Sequence, residues 1–276
     1  MRFTKMHGLG NDYVYVDVFT TRVVEPPKLA RAVSDRHTGI GSDGLILIGP
    51  STNADMRMEM YNAEGSRGEM CGNGIRCVAK YAVEHDLAKG PRLTIETDVG
   101  VKTVECAMDH GKVTSVRVDM GAPLLEARSI PTTIAAARVI DHPVNIGGVE
   151  YRITCVSMGN PHVVAFVREL HKVDLVEAGP RFEGSALFPS KVNAHFARVD
   201  DRAHVTVRHW ERGSGATRAC GSGACAVCVA GALTGRTERR ITAFLPGGEL
   251  DIEWAGNDHV YMTGPAVEVF SGDWPE

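Results

Sequence analysis

Cys71-Gly72-Asn73-Gly74-Ile75 and Cys220-Gly221-Ser222-Gly223-Ala224 are one pattern written twice, 149 residues apart. Each pentad opens an apolar run with helical spacing. The same offset carries the helix positions Ile75, Val78, Ala79, Ala82 and Val83 onto Ala224, Val227, Cys228, Gly231 and Ala232. It also carries Gly10-Asn11 onto Gly159-Asn160, each followed by an apolar strand-like run. A register held over so many positions predicts two structural halves, each presenting one cysteine at a helix N-terminus.

Around these turns the chain reads mainly as strand. Alternating or apolar β-type runs cover 13–18, 45–48, 56–61, 92–97, 101–106 and 113–120. Further runs cover 151–156, 162–167, 192–199, 204–210, 239–245, 249–254 and 259–263. Helices are fewer. Pro26-Pro27 can start one through Ser34. Residues 72–87 carry an apolar face, and residues 221–234 are apolar nearly all round, which requires burial on every side. The expected class is α/β (α+β): two similar halves, each a β-barrel-like sheet wrapped around a central helix, with the active site in the cleft between them. Gly121-Ala122-Pro123 is the expected boundary, giving 1–120 plus a returning C-terminal strand from 266 to 276, and 121–265.

The composition narrows the class of activity. With 276 residues, 43% hydrophobic content, 23% charged content and a net charge of −4, the chain is an ordinary globular protein with no electrostatic case for nucleic acid. No apolar run reaches membrane-span length, and Met1 to Met6 lacks a signal-peptide core. The seven cysteines are odd in number and fall in helical or apolar contexts, which suits reduced thiols and a cytoplasmic setting.

A thiol becomes a base only as thiolate, and a helix N-terminus favours that form through its free N–H groups and dipole. The glycines behind Cys71 and Cys220 let backbone N–H groups approach an anion such as a carboxylate. Two such N-termini would leave one sulfur on each face of an α-carbon, one to take a proton and the other to return one. The competing reading is that these are small buried hydrophobes; Cys77, Cys106, Cys155, Cys225 and Cys228 keep that role.

Other motifs fit less well. Gly39-Ile40-Gly41-Ser42-Asp43-Gly44 matches a dinucleotide fingerprint but precedes a strand instead of a helix. Cys220, Cys225 and Cys228 have the spacing of three iron–sulfur ligands, yet the segment reads as helix. Cys225-x-x-Cys228 lies inside that helix, which disfavours a thiol oxidoreductase.

The chain resembles the diaminopimelate epimerases, within the cofactor-independent amino-acid racemases. The resemblance rests on Lys5 to Asp12, Tyr61 to Ser66, Met70 to Cys77, Met158 to His162, Phe188 to Asn193, Trp210 to Gly213 and Ala219 to Ala224. It implies an isomerase that needs no pyridoxal phosphate, other cofactor or metal, and that converts LL-diaminopimelate to the meso form for lysine and peptidoglycan synthesis as a homodimer. It implies Cys71 and Cys220 as acid and base. Gly72, Asn73, Gly221 and Ser222 are placed at the reacting carboxylate, and Asn11, Asn62, Asn160, Asn193, Glu211 and Arg212 near the substrate. His162 and Glu211 are the implied tuners of thiol protonation. Arg212 can pair a distal carboxylate, while Glu211 and the asparagines can accept from a distal ammonium. A racemase of proline or histidine is the nearest alternative. Gly44 stands where some members carry glutamine, and Ala216 where many carry glutamate.

Overall fold

The computed structural model describes residues 1–275. It divides into two compact units, Met1–Asp119 with a return from Thr263, and Met120–Met262.

In the first unit the strands are β1 (Arg2–Gly8), β2 (Asn11–Asp17), β3 (Gly44–Gly49), β4 (Met56–Asn62), β5 (Arg67–Gly68), β6 (Arg92–Thr97), β7 (Gly100–Asp109) and β8 (Lys112–Gly121). Its helices are α1 (Pro26–Ser34) and α2 (Gly72–Glu84). The second unit holds β9 (His142–Ile146), β10 (Val149–Ser157), β11 (Pro161–Phe166), β12 (Asn193–Val199), β13 (His204–Glu211), β14 (Gly215–Thr217), β15 (Arg240–Leu245), β16 (Gly248–Trp254) and β17 (Val260–Gly264). Its helices are α3 (Leu175–Glu183) and α4 (Gly221–Leu233). The last strand, β18 (Val267–Asp273), pairs antiparallel with β1, bringing the two ends of the chain together.

The first unit's ladder runs β18, β1, β2, β3, β4, β6, β7, β8, with parallel steps at β2/β3 and β4/β6. Helix α2 touches β1, β2 and β18 on one side and β7 on the other, so the ladder curls around it. The second unit runs β9, β10, β11, β12, β13, β15, β16, with its parallel steps at β11/β12 and β13/β15. Helix α4 touches β10, β11, β12, β15 and β16 in the same wrapped arrangement.

The repeat extends through the whole order of elements. Adding 149 to α2 gives α4, adding it to α1 gives α3, and adding it to β3 gives the first six residues of β12. Each half is thus the same α+β design. The wrapped helices differ in polarity. Helix α4 is buried almost along its length by Ala224 to Gly231, the environment its uniformly apolar sequence requires. Helix α2 buries Arg76 and Lys80, and Lys80 is satisfied by Glu84 at 2.7 Å and the Val113 carbonyl at 2.9 Å.

Helix α3 was not expected, because Gly179-Pro180 reads as a breaker. Asp174 caps it by accepting from the Val176 and Glu177 N–H groups. Gly179 is required by packing: a Cβ there would lie 2.1 Å from the Trp210 ring. Strands β1, β5, β9 and β14 are also additional to the sequence reading. Helix α2 stops at Glu84, three residues short of the expected end, where the His85 N–H bonds to the Tyr81 carbonyl.

Candidate active site

In the first unit, Cys71 is the N-cap of α2. Its extended backbone (φ −128°, ψ 118°) turns the sulfur back over the helix, where Sγ accepts from the Gly74 N–H at 3.3 Å. This satisfies one of the unpaired donors of a helix start. The thiol donates to Asn11 Oδ1 at 3.3 Å, which also accepts from Asn73 Nδ2. Asn11 is anchored through its Nδ2, which donates to Asp43 at 2.7 Å. Asn73 is anchored by Arg76, which donates to Asn73 Oδ1 at 2.9 Å and to the Gly72 carbonyl at 3.0 Å. Cys71, Asn11 and Asn73 are therefore one connected group. Asp43 and Arg76 support it and were not identified from the sequence; only their nearness to the glycine turns hinted at them.

Asn62 is anchored separately. It donates to Ser66 Oγ at 2.8 Å across the turn between β4 and β5. Gly44 pairs with Asn62 across β3/β4, and a Cβ at Gly44 would sit 2.1 Å from the Tyr61 carbonyl oxygen. The backbone here leaves no room for the glutamine that some relatives were expected to carry.

In the second unit, Cys220 is the N-cap of α4 and is 4% exposed. Burial, reinforced by the charge of Glu211, pushes its thiol well above the ordinary range. Ser222 Oγ lies 3.8 Å from the sulfur. Glu211 also accepts from Thr217 Oγ1 at 2.5 Å, so it is held although Ala216 brings no second carboxylate. Asn193 is buried and committed to backbone: it donates to the Pro161 carbonyl at 2.8 Å and accepts from the Arg212 N–H at 3.0 Å. These bonds tie down the strand end that carries Arg212, whose exposed guanidinium donates to the Ser190 carbonyl at 3.3 Å. Asn160 Oδ1 lies 2.8 Å from His162 Nε2. Asn193 Oδ1 and Asn160 Oδ1 thus each have one protein partner, and Asn11 Oδ1 has two.

The cysteines of the iron–sulfur spacing lie on α4. Cys225 and Cys228 are fully buried within it, and the Cys228 thiol donates to the Arg239 carbonyl at 3.4 Å. Among the described residues, no three His, Cys, Asp or Glu side chains are grouped as a metal ion requires. The 39–44 glycine motif joins α1 to β3, the reverse of a dinucleotide-binding order.

The sequence profile described as Diaminopimelate epimerase matches residues 3–125 and 154–269. The chain belongs to the diaminopimelate epimerase family. A diaminopimelate epimerase of Acetivibrio thermocellus is 51% identical over 274 residues, covering 99% of this chain and 98% of that protein. Another from Moorella thermoacetica is 51% identical over 277 residues, covering 100% and 99%. Among solved structures, a phenazine biosynthesis protein of the PhzF family from Bacillus anthracis has the same fold, with TM-score 0.70 at 17% identity, covering 99% of this chain and 98% of that one. A probable proline racemase from Agrobacterium radiobacter superposes with TM-score 0.73 at 14% identity, covering 99% and 92%.

Proposed function

We propose that the protein interconverts LL- and meso-2,6-diaminopimelate by moving a proton on and off one α-carbon, with no cofactor. The observation that carries this reading is the duplicated N-cap: each unit ends the approach to its central helix with a cysteine, at equivalent positions. One thiolate takes the α-proton as the C–H bond breaks and an S–H bond forms. The opposite thiol gives its proton to the other face of the carbanion, so the centre inverts with no change of oxidation state. The backbone N–H groups of Gly72, Asn73, Gly221 and Ser222 hold the carboxylate and stabilise the charge that spreads onto it. Cys220, kept protonated by burial and Glu211, starts as the acid in the direction that Cys71 begins as base. Arg212 pairs the distal carboxylate, and Glu211 accepts from an ammonium. Asn62 and Asn193 shape the distal pocket, while Asn11 orients Cys71 and Asn160 contributes a donor.

The setting we assign is a cytoplasmic homodimer supplying lysine and peptidoglycan precursors. The test is incubation of the reduced protein with LL-diaminopimelate in D₂O, with proline and histidine in parallel, following α-deuterium by NMR. Deuterium incorporation with formation of the meso product, without added cofactor, is expected. Exchange confined to proline or histidine would overturn the substrate, and exchange with none would overturn the reaction.

A further inference from the structure

Three imidazoles form a buried hydrogen-bonded run in the second unit. His162 Nδ1 lies 2.8 Å from His195 Nε2, and His195 Nδ1 lies 2.8 Å from His209 Nδ1. The rings are at most 1% exposed. One end of the run reaches Asn160 through the 2.8 Å contact to His162 Nε2. The other end is His209 Nε2, a buried atom with no hydrogen-bond partner among the described residues. Burial pushes His162 and His209 down to about 3 and His195 down in the same direction, so all three rings are neutral.

A neutral imidazole has one donor and one acceptor, so fixing one proton fixes the run. Only two arrangements are possible. If His209 Nδ1 carries its proton, each ring donates toward Asn160 and its Oδ1 is the final acceptor. If the run is reversed, His209 Nε2 carries a proton with nothing to receive it. An orphaned buried N–H is the rarer and costlier defect. The run therefore points toward Asn160. Its amide oxygen is turned inward, and its NH₂ makes no hydrogen bond among the described residues.

The fold does not require this run. The 149-residue offset places Tyr13, Ile46 and Met60 at the corresponding positions of the first unit, where Ile46 pairs with Met60 as His195 pairs with His209. All three counterparts are buried. The packing against the central helix is also equivalent. A Cβ on Gly74 would meet Ile46 at 2.7 Å, and one on Gly223 would meet His195 at 2.4 Å. One half fills these positions without a chain of imidazoles and the other builds the chain beneath the turn that carries Cys220.

We propose that His195 and His209 are positioning residues: they lock the tautomer of His162 and so hold Asn160 with its NH₂ presented as a donor to a substrate carboxylate. This rests on the reaction proposed above for its substrate, but not for its tautomers. Long-range ¹⁵N–¹H NMR of the full-length protein at roughly neutral pH, where free histidines are close to titrating, reads the tautomers directly. Protons on Nε2 of His162, Nε2 of His195 and Nδ1 of His209 are expected; a cationic ring or the reversed pattern overturns the proposal. In parallel, His195→Leu should raise KM for diaminopimelate about tenfold with kcat held within about threefold, the loss of one oriented hydrogen bond. His195→Gln, which can still donate to His162, should restore KM. An unchanged KM in His195→Leu, or an equal defect in both variants, would overturn it. If the wild type epimerises no diaminopimelate, the reaction fails while the tautomer pattern still decides the positioning role.

Discussion

Cys71 and Cys220 occupy equivalent caps in unlike surroundings. Cys71 is half-buried, with its thiol directed at Asn11, whereas Cys220 is buried beside Glu211. Burial suppresses other thiols as well: it pushes Cys77 and Cys106 up to about 11, and Cys155 and Cys228 up to about 12. Brief iodoacetamide treatment of the native protein should therefore label Cys71 first, since reaction needs both thiolate and access. Peptide mass mapping that found Cys155 or Cys228 labelled ahead of Cys71 would contradict this. Replacing Cys71 or Cys220 by alanine should each reduce inversion by roughly 10²- to 10⁴-fold, the usual weight of a general acid or base. A variant retaining full meso-product formation would remove that cysteine from the mechanism. At this scale the cysteines and asparagines were legible because a repeated glycine turn is a local signal. Asp43, His195 and His209 were not, because each matters only through a partner distant in sequence.

The helices show how closely a cap depends on what packs beneath it. Gly223 lies in the first turn of α4, directly over His195. Gly223→Ala should destabilise the protein by about 1–3 kcal/mol through overpacking, although alanine is the better helix former. A urea midpoint equal to that of the wild type would show that the turn shifts freely. The α2 and α4 patterns were readable because their periodicity and glycine starts agree. Helix α3 was not, since Gly179-Pro180 looks like an interruption until Trp210 is seen to fill the space above Gly179. Strand β5 is two residues long and β14 three, too short for an alternation to register.

For the molecule as a whole, the buried histidines set a pH dependence. Their folded values lie below the ordinary 6.5, near 3 for His162 and His209, so the unfolded chain binds more protons across that window. Stability should hold above about pH 6.5 and fall progressively as the pH drops toward 3. Urea midpoints that decline from neutral pH to about 5, above most carboxylate titration, would bear this out; a flat profile would not. The chain ends make a second demand. Strand β18 closes on β1 from Arg2–Asp273 onward, Phe3 meets Phe270 edge-on at 5.9 Å, and the amino terminus donates to the Trp274 carbonyl at 2.7 Å. Removing the segment from residue 266 should expose the edge of β1 and unfold the first unit. A truncated protein with the wild type's thermal transition would refute that.

The sequence by itself determined the duplication, the two cysteine caps and the family, because glycine turns and helical periodicity are properties of neighbouring residues. Only the tertiary structure decided that Asn193 serves the backbone, that Gly44 has no room for a side chain, and that three histidines from three strands make one chain. Those are contacts between residues far apart in sequence, and pairing of β11 with β12 and of β12 with β13 is what brings them within a hydrogen bond.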